Sequence, residues 1–251
     1  MNVEYWDAIA PNYSAQVLDT LSCDRAGVIT AALDCVASSR KTAADFGCGI
    51  GGYSAALASR FKSVVGLDHS APLIEKAKVI HQNLKNVEFR QADLTRTLRS
   101  WSPCDVGVCM NVLIMPDLQI RNAILRTIHR ALKAGGTLLA VVPSLESSLY
   151  TDVRLIEWNM RDGMSHDAAV DAGLEDEPGI VGPPAAGVVE TGGELTKHYL
   201  REEISLLMES AGFEVQAVEK VEYDWSTEFE HPPRWLDGPY PWDWLVTCGR
   251  S

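Results

Sequence analysis

Short apolar runs at 42–46, 63–67, 87–91, 105–110 and 136–142, each rich in Val, Leu, Phe or Ala, punctuate the middle of the chain and predict five strands. The intervening segments 52–60, 71–84 and 118–133 predict helices. In the last of these, Leu118, Ile120, Ala123, Ile124, Leu125, Ile128, Ala131 and Leu132 recur mostly three or four apart, which makes one broad apolar face. Lys133-Ala134-Gly135-Gly136 then offers a basic last turn and a glycine stop. Strand and helix in strict alternation imply a mostly parallel sheet covered on both faces and wound with right-handed crossovers. The fold class is therefore α/β, doubly wound.

The flanks extend this unit. Residues 1–40 read as an N-terminal helical cap, with helices near 3–20 and 23–38, and 41–145 as the ligand-binding core. Residues 146–198 begin helical to about 170 and continue into 171–194, which carries Pro178, Pro183 and Pro184, many glycines, six acids and no Lys or Arg. A loop of that length inside a compact domain predicts a lid over a substrate. Residues 199–251 supply an amphipathic helix at 200–212, stopped at Ala211-Gly212-Phe213, and strands at 213–223 and 243–248 that bring the sheet to seven. The whole reads as a single domain without internal repeats.

The 251 residues are 46% hydrophobic and 22% charged, which excludes fibrous, disulfide-scaffold and disordered classes. No apolar run is long enough to span a membrane, and the start Met1-Asn2-Val3-Glu4 lacks the basic and apolar regions of a secretory signal, so a cytoplasmic location is expected. Six cysteines at scattered spacings show no CxxC pair, and no spacing suggests a metal set. The net charge of −12 lies wholly beyond residue 170, where 17 acids face only Lys197, Arg201, Lys220, Arg234 and Arg250. Nucleic acid and anionic membranes, which demand an excess of cations, are thereby poor partners.

Asp45-Phe46-Gly47-Cys48-Gly49-Ile50-Gly51-Gly52 stands where the first strand hands over to a helix, and Asp68 ends the second strand 21 residues after Gly47. Missing β-carbons let the backbone turn tightly against a ligand, and an acid at that distance accepts both hydroxyls of a ribose. These features define an adenosine-containing cofactor. Asp45 would repel a pyrophosphate but would welcome an ammonium, which favours a cofactor with a zwitterionic end. Asp93, ending the third strand, is placed to accept from an adenine amino group.

In this order and spacing, Tyr5-Trp6-Asp7-x-x-Ala10-x-x-Tyr13, the glycine loop 45–51, Gly66-Leu67-Asp68-His69-Ser70, Ala92-Asp93-Leu94, Leu132-Lys133-Ala134-Gly135-Gly136 and His198-Tyr199-Leu200-Arg201 resemble the class I S-adenosylmethionine-dependent methyltransferases of the small-molecule kind. The resemblance implies a Rossmann-like fold with S-adenosylmethionine as cofactor and S-adenosylhomocysteine as product. It implies that Gly47, Gly49 and Gly51 contact the methionine end with Asp45 near the ammonium. Asp68, with His69 beside it, would hold the ribose, and Asp93 and Leu94 the adenine. Asn111 falls where the family faces both cofactor and acceptor. Tyr13 is either a cofactor contact or a helix tyrosine packed on the sheet. The sequence departs from the base-methylating pattern, since Val112-Leu113-Ile114 rather than Pro-Pro-aromatic follows Asn111.

In-line methyl transfer needs alignment, exclusion of water and, for a protonated acceptor, a base. His198, after the lid, is the candidate base, or else caps the helix that follows. Residues 221–244 interleave Tyr223, Trp225, Phe229, Trp235, Tyr240, Trp242 and Trp244 with six acids, a composition suited to an amine or otherwise cationic acceptor, or to a packing layer behind an acidic rim. Expected acceptor contacts are Asn111, Tyr199, Trp225 and Trp242. An NAD-dependent oxidoreductase fits the literal GxGxxG, but Asp45 and the absence of a Tyr-x-x-x-Lys pair oppose it. A non-catalytic partner that keeps the nucleotide fold, or a protein methyltransferase, are the other readings.

Overall fold

The central strands form where apolar residues run together, and several helices begin where a side chain accepts from a first-turn amide, as Ser70 does from Leu73. The computed structural model describes residues 3–176, 179–191 and 193–251. In chain order the helices are α1 (Val3–Ile9), α2 (Tyr13–Gln16), α3 (Thr20–Cys23), α4 (Val28–Val36), α5 (Gly52–Ala58), α6 (Ala71–Ile80), α7 (Leu118–Ala131), α8 (Leu145–Arg161), α9 (His166–Asp176) and α10 (Arg201–Ser210). The strands are β1 (Ser38–Phe46), β2 (Phe61–Asp68), β3 (Val87–Gln91), β4 (Cys104–Met110), β5 (Leu132–Pro143), β6 (Val188–Thr191), β7 (Glu194–Lys197), β8 (Phe213–Glu222) and β9 (Trp242–Arg250).

Seven strands form one sheet in the order β3-β2-β1-β4-β5-β9-β8. The first five are parallel, and β9 and β8 run antiparallel to their neighbours. On one face Ile29, Leu33 and Leu57 meet Val106, Val108, Val141 and Leu245. On the other, Ile124, Leu125, Ile128, Ile204 and Met208 meet Leu138, Ala140, Val142 and Val246. Burial on both faces is why the central strands read as continuous apolar runs.

The register determines what shares an edge. Pro143 at the end of β5 lies opposite Asp243, and Glu222 at the end of β8 lies opposite Trp242. The start of β9 therefore stands at the same carboxyl edge of the parallel strands as Asp45, Asp68 and Asn111.

Three expectations are corrected. The N-terminal region is several short helices rather than two, because Asp19 caps α3 through the Leu21 and Ser22 amides and Gly27 enters a left-handed turn before α4. The span 171–194 is not all loop. α9 runs into it, and Val188–Thr191 pairs antiparallel with Glu194–Lys197; Pro178 lies outside the described residues. Finally, α7 ends at Ala131 and Leu132 already belongs to β5, since Leu132 is completely buried beneath the sheet's own core.

Candidate active site

The β1–α5 turn is held from below and from the side. The Gly47 and Cys48 amides donate to the Leu67 carbonyl at 2.7 and 2.9 Å, and the Gly49 amide donates to Asp68 Oδ2 at 2.9 Å. Gly49 has φ +53°, and a β-carbon there would lie 2.4 Å from the Tyr13 hydroxyl. Gly47, at φ +78°, would place one 2.3 Å from Val112. Both positions are open to glycine alone. Gly51, at φ +88°, also packs its bare α-carbon against His81 and Phe89, so both its conformation and the core demand glycine.

Asp45 is buried and accepts from Ser54 Oγ at 2.6 Å. Burial pushes its carboxyl up to about 7 against the opposing bond from Ser54, with the negative charge of Asp68 adding to the rise. No cation pairs with it among the described residues. Asp68 is raised by burial as well, although the Ser70 and Gly49 amides hold it down. Each Asp68 oxygen takes one backbone N–H, Oδ1 from Ser70 and Oδ2 from Gly49, and a carboxylate oxygen has lone-pair capacity for more. Two adjacent acids that are buried without a cation, beside a turn stripped of β-carbons, fit a ligand that brings an ammonium and a diol.

Tyr13 covers this turn. Burial, with Asp68 and Asp45 nearby, raises its phenol far above the ordinary value, so the ring stays neutral. Its helical segment is tethered from two sides. Ser70 Oγ donates to Asp7 Oδ1 at 2.6 Å, and Lys76 Nζ donates to the Ala10 and Pro11 carbonyls at 3.0 Å.

The other expected residues divide between the site and the interior. His69 adjoins Asp68 and gives its carbonyl to Gln91. Leu94 is buried in the core. Asp93 is partly engaged already: Oδ1 accepts from the Thr95 amide and hydroxyl, and Oδ2 pairs with Arg96. Against a modest burial penalty these bonds hold its carboxyl low. Asn111, in a left-handed conformation at φ 52°, reaches Asp243 Oδ2 with its amide nitrogen at 3.5 Å, while its Oδ1 is buried without a partner.

His198 follows the β6–β7 hairpin. Its Nε2 lies 3.1 Å from Thr196 Oγ1, and its Nδ1 is buried without a hydrogen bond. Burial lowers it to about 4, with the Lys197 charge adding to the fall although the Ser144 backbone opposes it, so the imidazole is neutral at physiological pH. Its neighbour Tyr199 is wholly inside the protein, its hydroxyl bonded to the Leu113 carbonyl. Trp225 stacks on Phe229 at 5.5 Å and donates to the Asp237 carbonyl. Trp242 packs against Tyr150 and Trp244. These three serve packing here.

The aromatic faces of the tail already hold the protein's own cations. Arg25 covers Tyr240 at 3.7 Å, Arg161 covers Trp235 at 4.0 Å, and Lys220 covers Trp242 at 3.3 Å. The residue that sequence reasoning passed over is Asp243. It accepts from the Tyr223 hydroxyl at 2.9 Å and from Asn111, both at Oδ2. Burial pushes it up to about 6, against those two bonds and one from the Ser144 backbone, with the negative charge of Glu228 adding to the rise. Its signal was the register, since an acid at the start of an antiparallel strand beside β5 must stand at the ligand edge.

Among the described residues no group of three His, Cys, Asp or Glu is arranged to hold a metal, and no helix is long and apolar enough to cross a membrane. Cys48, Cys104, Cys109 and Cys248 are buried thiols, Cys23 is half-buried and Cys35 is exposed.

Residues 43–136 match the family described as a methyltransferase domain. The match spans the part of the chain that carries Asp45, Gly47, Gly49, Asp68, Asp93 and Asn111, and it supports S-adenosylmethionine as the donor and S-adenosylhomocysteine as the product. Solved structures share the fold. An S-adenosylmethionine-dependent methyltransferase from Methanosarcina mazei superposes with a TM-score of 0.59 at 20% identity, over 86% of this chain and 94% of that one. A complex of DhpI with SAM and HEP gives 0.61 at 18% identity, over 98% and 94%. The 1,6-didemethyltoxoflavin-N1-methyltransferase of Burkholderia thailandensis, solved with its toxoflavin precursor and S-adenosylhomocysteine, gives 0.62 at 15% identity, over 99% and 89%. No curated protein sequence matches the chain.

Proposed function

We propose that this protein transfers the methyl group of S-adenosylmethionine to a small-molecule acceptor, an amine or a nitrogen-bearing aromatic metabolite. The observation that carries the reading is the covered glycine turn. Tyr13 lies over Gly49, and two independent tethers hold its segment to α6. A cover of this kind suits a reactant small enough to be enclosed, and enclosure excludes the water that would compete for the methyl group. Among the fold's neighbours, the toxoflavin enzyme takes a nitrogen acceptor of this size.

S-adenosylmethionine supplies a methyl group already activated on a sulfonium. The chain's part is then to bind and align. Asp45 would meet the ammonium, Asp68 the ribose hydroxyls through its unused lone pairs, and Gly47 and Gly49 would let the backbone approach. His69, Asp93 and Leu94 would border the adenine; for Asp93 that means bonding alongside Thr95 and Arg96. Asn111 would face the junction of donor and acceptor. His198 would be the base near the acceptor only if a bound ligand offset the burial that now holds its imidazole neutral.

The test is calorimetric titration with S-adenosylmethionine, S-adenosylhomocysteine and NAD in parallel, followed by transfer of labelled methyl to a panel of small amines, phenols and carboxylates. We expect the first two to bind, NAD to fail, and the label to appear on a nitrogen compound. Binding of NAD alone overturns the donor, and label found only on macromolecules or carboxylates overturns the acceptor class.

A further inference from the structure

The carboxyl edge of the sheet carries a second polar group, separate from the cofactor acids. Asp243 opens β9 opposite Pro143 and is half-buried. Tyr223 Oη and Asn111 Nδ2 both bond to Oδ2. Oδ1 has no side-chain partner, the Ser144 backbone is the remaining hydrogen-bonding group beside the carboxyl, and Oδ1 is not among the unpartnered atoms sealed from solvent. The paired oxygen orients the side chain and leaves Oδ1 without a side-chain donor.

Asn111 repeats the pattern. Its amide nitrogen must face Asp243, because only the nitrogen can donate to a carboxylate. That leaves Asn111 Oδ1 turned away, and it is buried without a donor. A buried acceptor left unmade costs roughly 1–3 kcal/mol. Two adjacent residues therefore each present one hydrogen-bond acceptor that no side chain of the protein answers. No Lys, Arg or His pairs with Asp243 among the described residues, whereas Asp224 in the same segment pairs with Arg25. The Ser144 backbone borders both Asp243 and His198.

We infer that Asp243 and Asn111 form the acceptor's anchor, a site for a small amine whose nitrogen brings two N–H donors, one to Asp243 Oδ1 and one to Asn111 Oδ1. The inference rests on the methyltransferase reading above and names the substrate class that this reading leaves broad. Tyr223 is a positioning residue, since it fixes Oδ2 and so aims Oδ1. Before transfer an ammonium must lose a proton to free its lone pair. That proton goes to Asp243 Oδ1, and the nitrogen keeps the electron pair. Tyr240, Trp235 and Trp242 in the aromatic tail already hold Arg25, Arg161 and Lys220 over a ring face, so the carboxyl edge rather than these rings is assigned the amine.

The experiment uses the full chain saturated with S-adenosylhomocysteine, which is titrated with a panel of small primary and secondary amines that includes 2-phenylethylamine. The anionic counterpart 3-phenylpropionate is titrated in parallel. We expect at least one amine to bind and the carboxylate not to. Asp243→Asn should weaken that amine tenfold or more while S-adenosylhomocysteine affinity stays within twofold. Asn111→Leu, which removes the second acceptor, should also weaken the amine. Asp243→Glu should recover part of the affinity, which a purely structural role would not produce. Equal binding of amine and carboxylate, no amine binding at all, or unchanged amine affinity in Asp243→Asn would each overturn the anchor. Failure of S-adenosylhomocysteine to bind the wild-type chain would instead remove the methyltransferase reading and the anchor with it.

Discussion

Asp45 links the chemistry of the site to the stability of the fold. Its carboxyl has an ordinary value of 3.8 and rises to about 7 when folded, chiefly through burial. The folded state therefore holds a proton that the unfolded chain releases between those values. The sign follows: this contribution to stability is full below about pH 4 and is lost as pH climbs through about 7. Thermal melts of the free protein should show Asp45→Asn gaining on wild type as pH rises across that window, and a parallel pair of curves would contradict the assignment. The same substitution should weaken S-adenosylmethionine, because the charge that would answer the ammonium is gone. At this scale the sequence spoke clearly wherever a residue type is demanded by backbone geometry, as at Gly47 and Gly49. It was silent on side chains whose role depends on what lies across the sheet. Tyr199 and Asp243 look equally polar in the sequence, yet one is buried beneath Leu113 and the other stands at the ligand edge.

Among the elements, the inner strands of the main sheet were legible because burial on both faces leaves an apolar signature, while the edge strands β3 and β8 were read from shorter apolar patterns. The β6–β7 hairpin was not, since its two four-residue strands pair with each other and, through Ile180 and Val189, with the segment before them, but not with the main sheet. It attaches instead through single bonds, such as the Lys197 amide to the Ile114 carbonyl. The N-terminal cap was read as helical, but its role as a cover depends on tethers between residues more than sixty positions apart. Asp7 holds that cover through Ser70, whose hydroxyl also accepts from the Leu73 amide to cap α6. Asp7→Ala removes the tether and leaves the cap of α6 intact. We expect faster hydrogen exchange across residues 3–16, and faster release of S-adenosylmethionine in stopped-flow chase experiments, with exchange in α6 unchanged. Slower release, or exchange spreading through α6, would mean that Asp7 supports the helix and not the cover.

Over the whole molecule, charge and architecture are arranged along the chain in step. The neutral first 170 residues build the cofactor half of the sheet, and the segment with all of the net −12 closes the sheet beside β5. Its exposed acids Asp224, Glu228, Glu230 and Asp237 flank the strand ends that carry Tyr223 and Asp243. A field of one sign at the rim of a cleft raises the local concentration of oppositely charged reactants and speeds their capture. An amine acceptor should therefore be steered inward, and the effect should fade as the screening length falls from about 10 Å at 0.1 M salt to about 3 Å at 1 M. The KM for a cationic acceptor should climb several-fold over that range while kcat changes little, because chemistry in the enclosed site is shielded from bulk ions. S-adenosylhomocysteine, which has no net charge at neutral pH, serves as the internal control and should bind with nearly constant affinity. If both respond alike, salt is acting on the fold rather than on the approach. If neither responds, the acidic segment has a different purpose, and the anchor at Asp243 works without help from its surroundings.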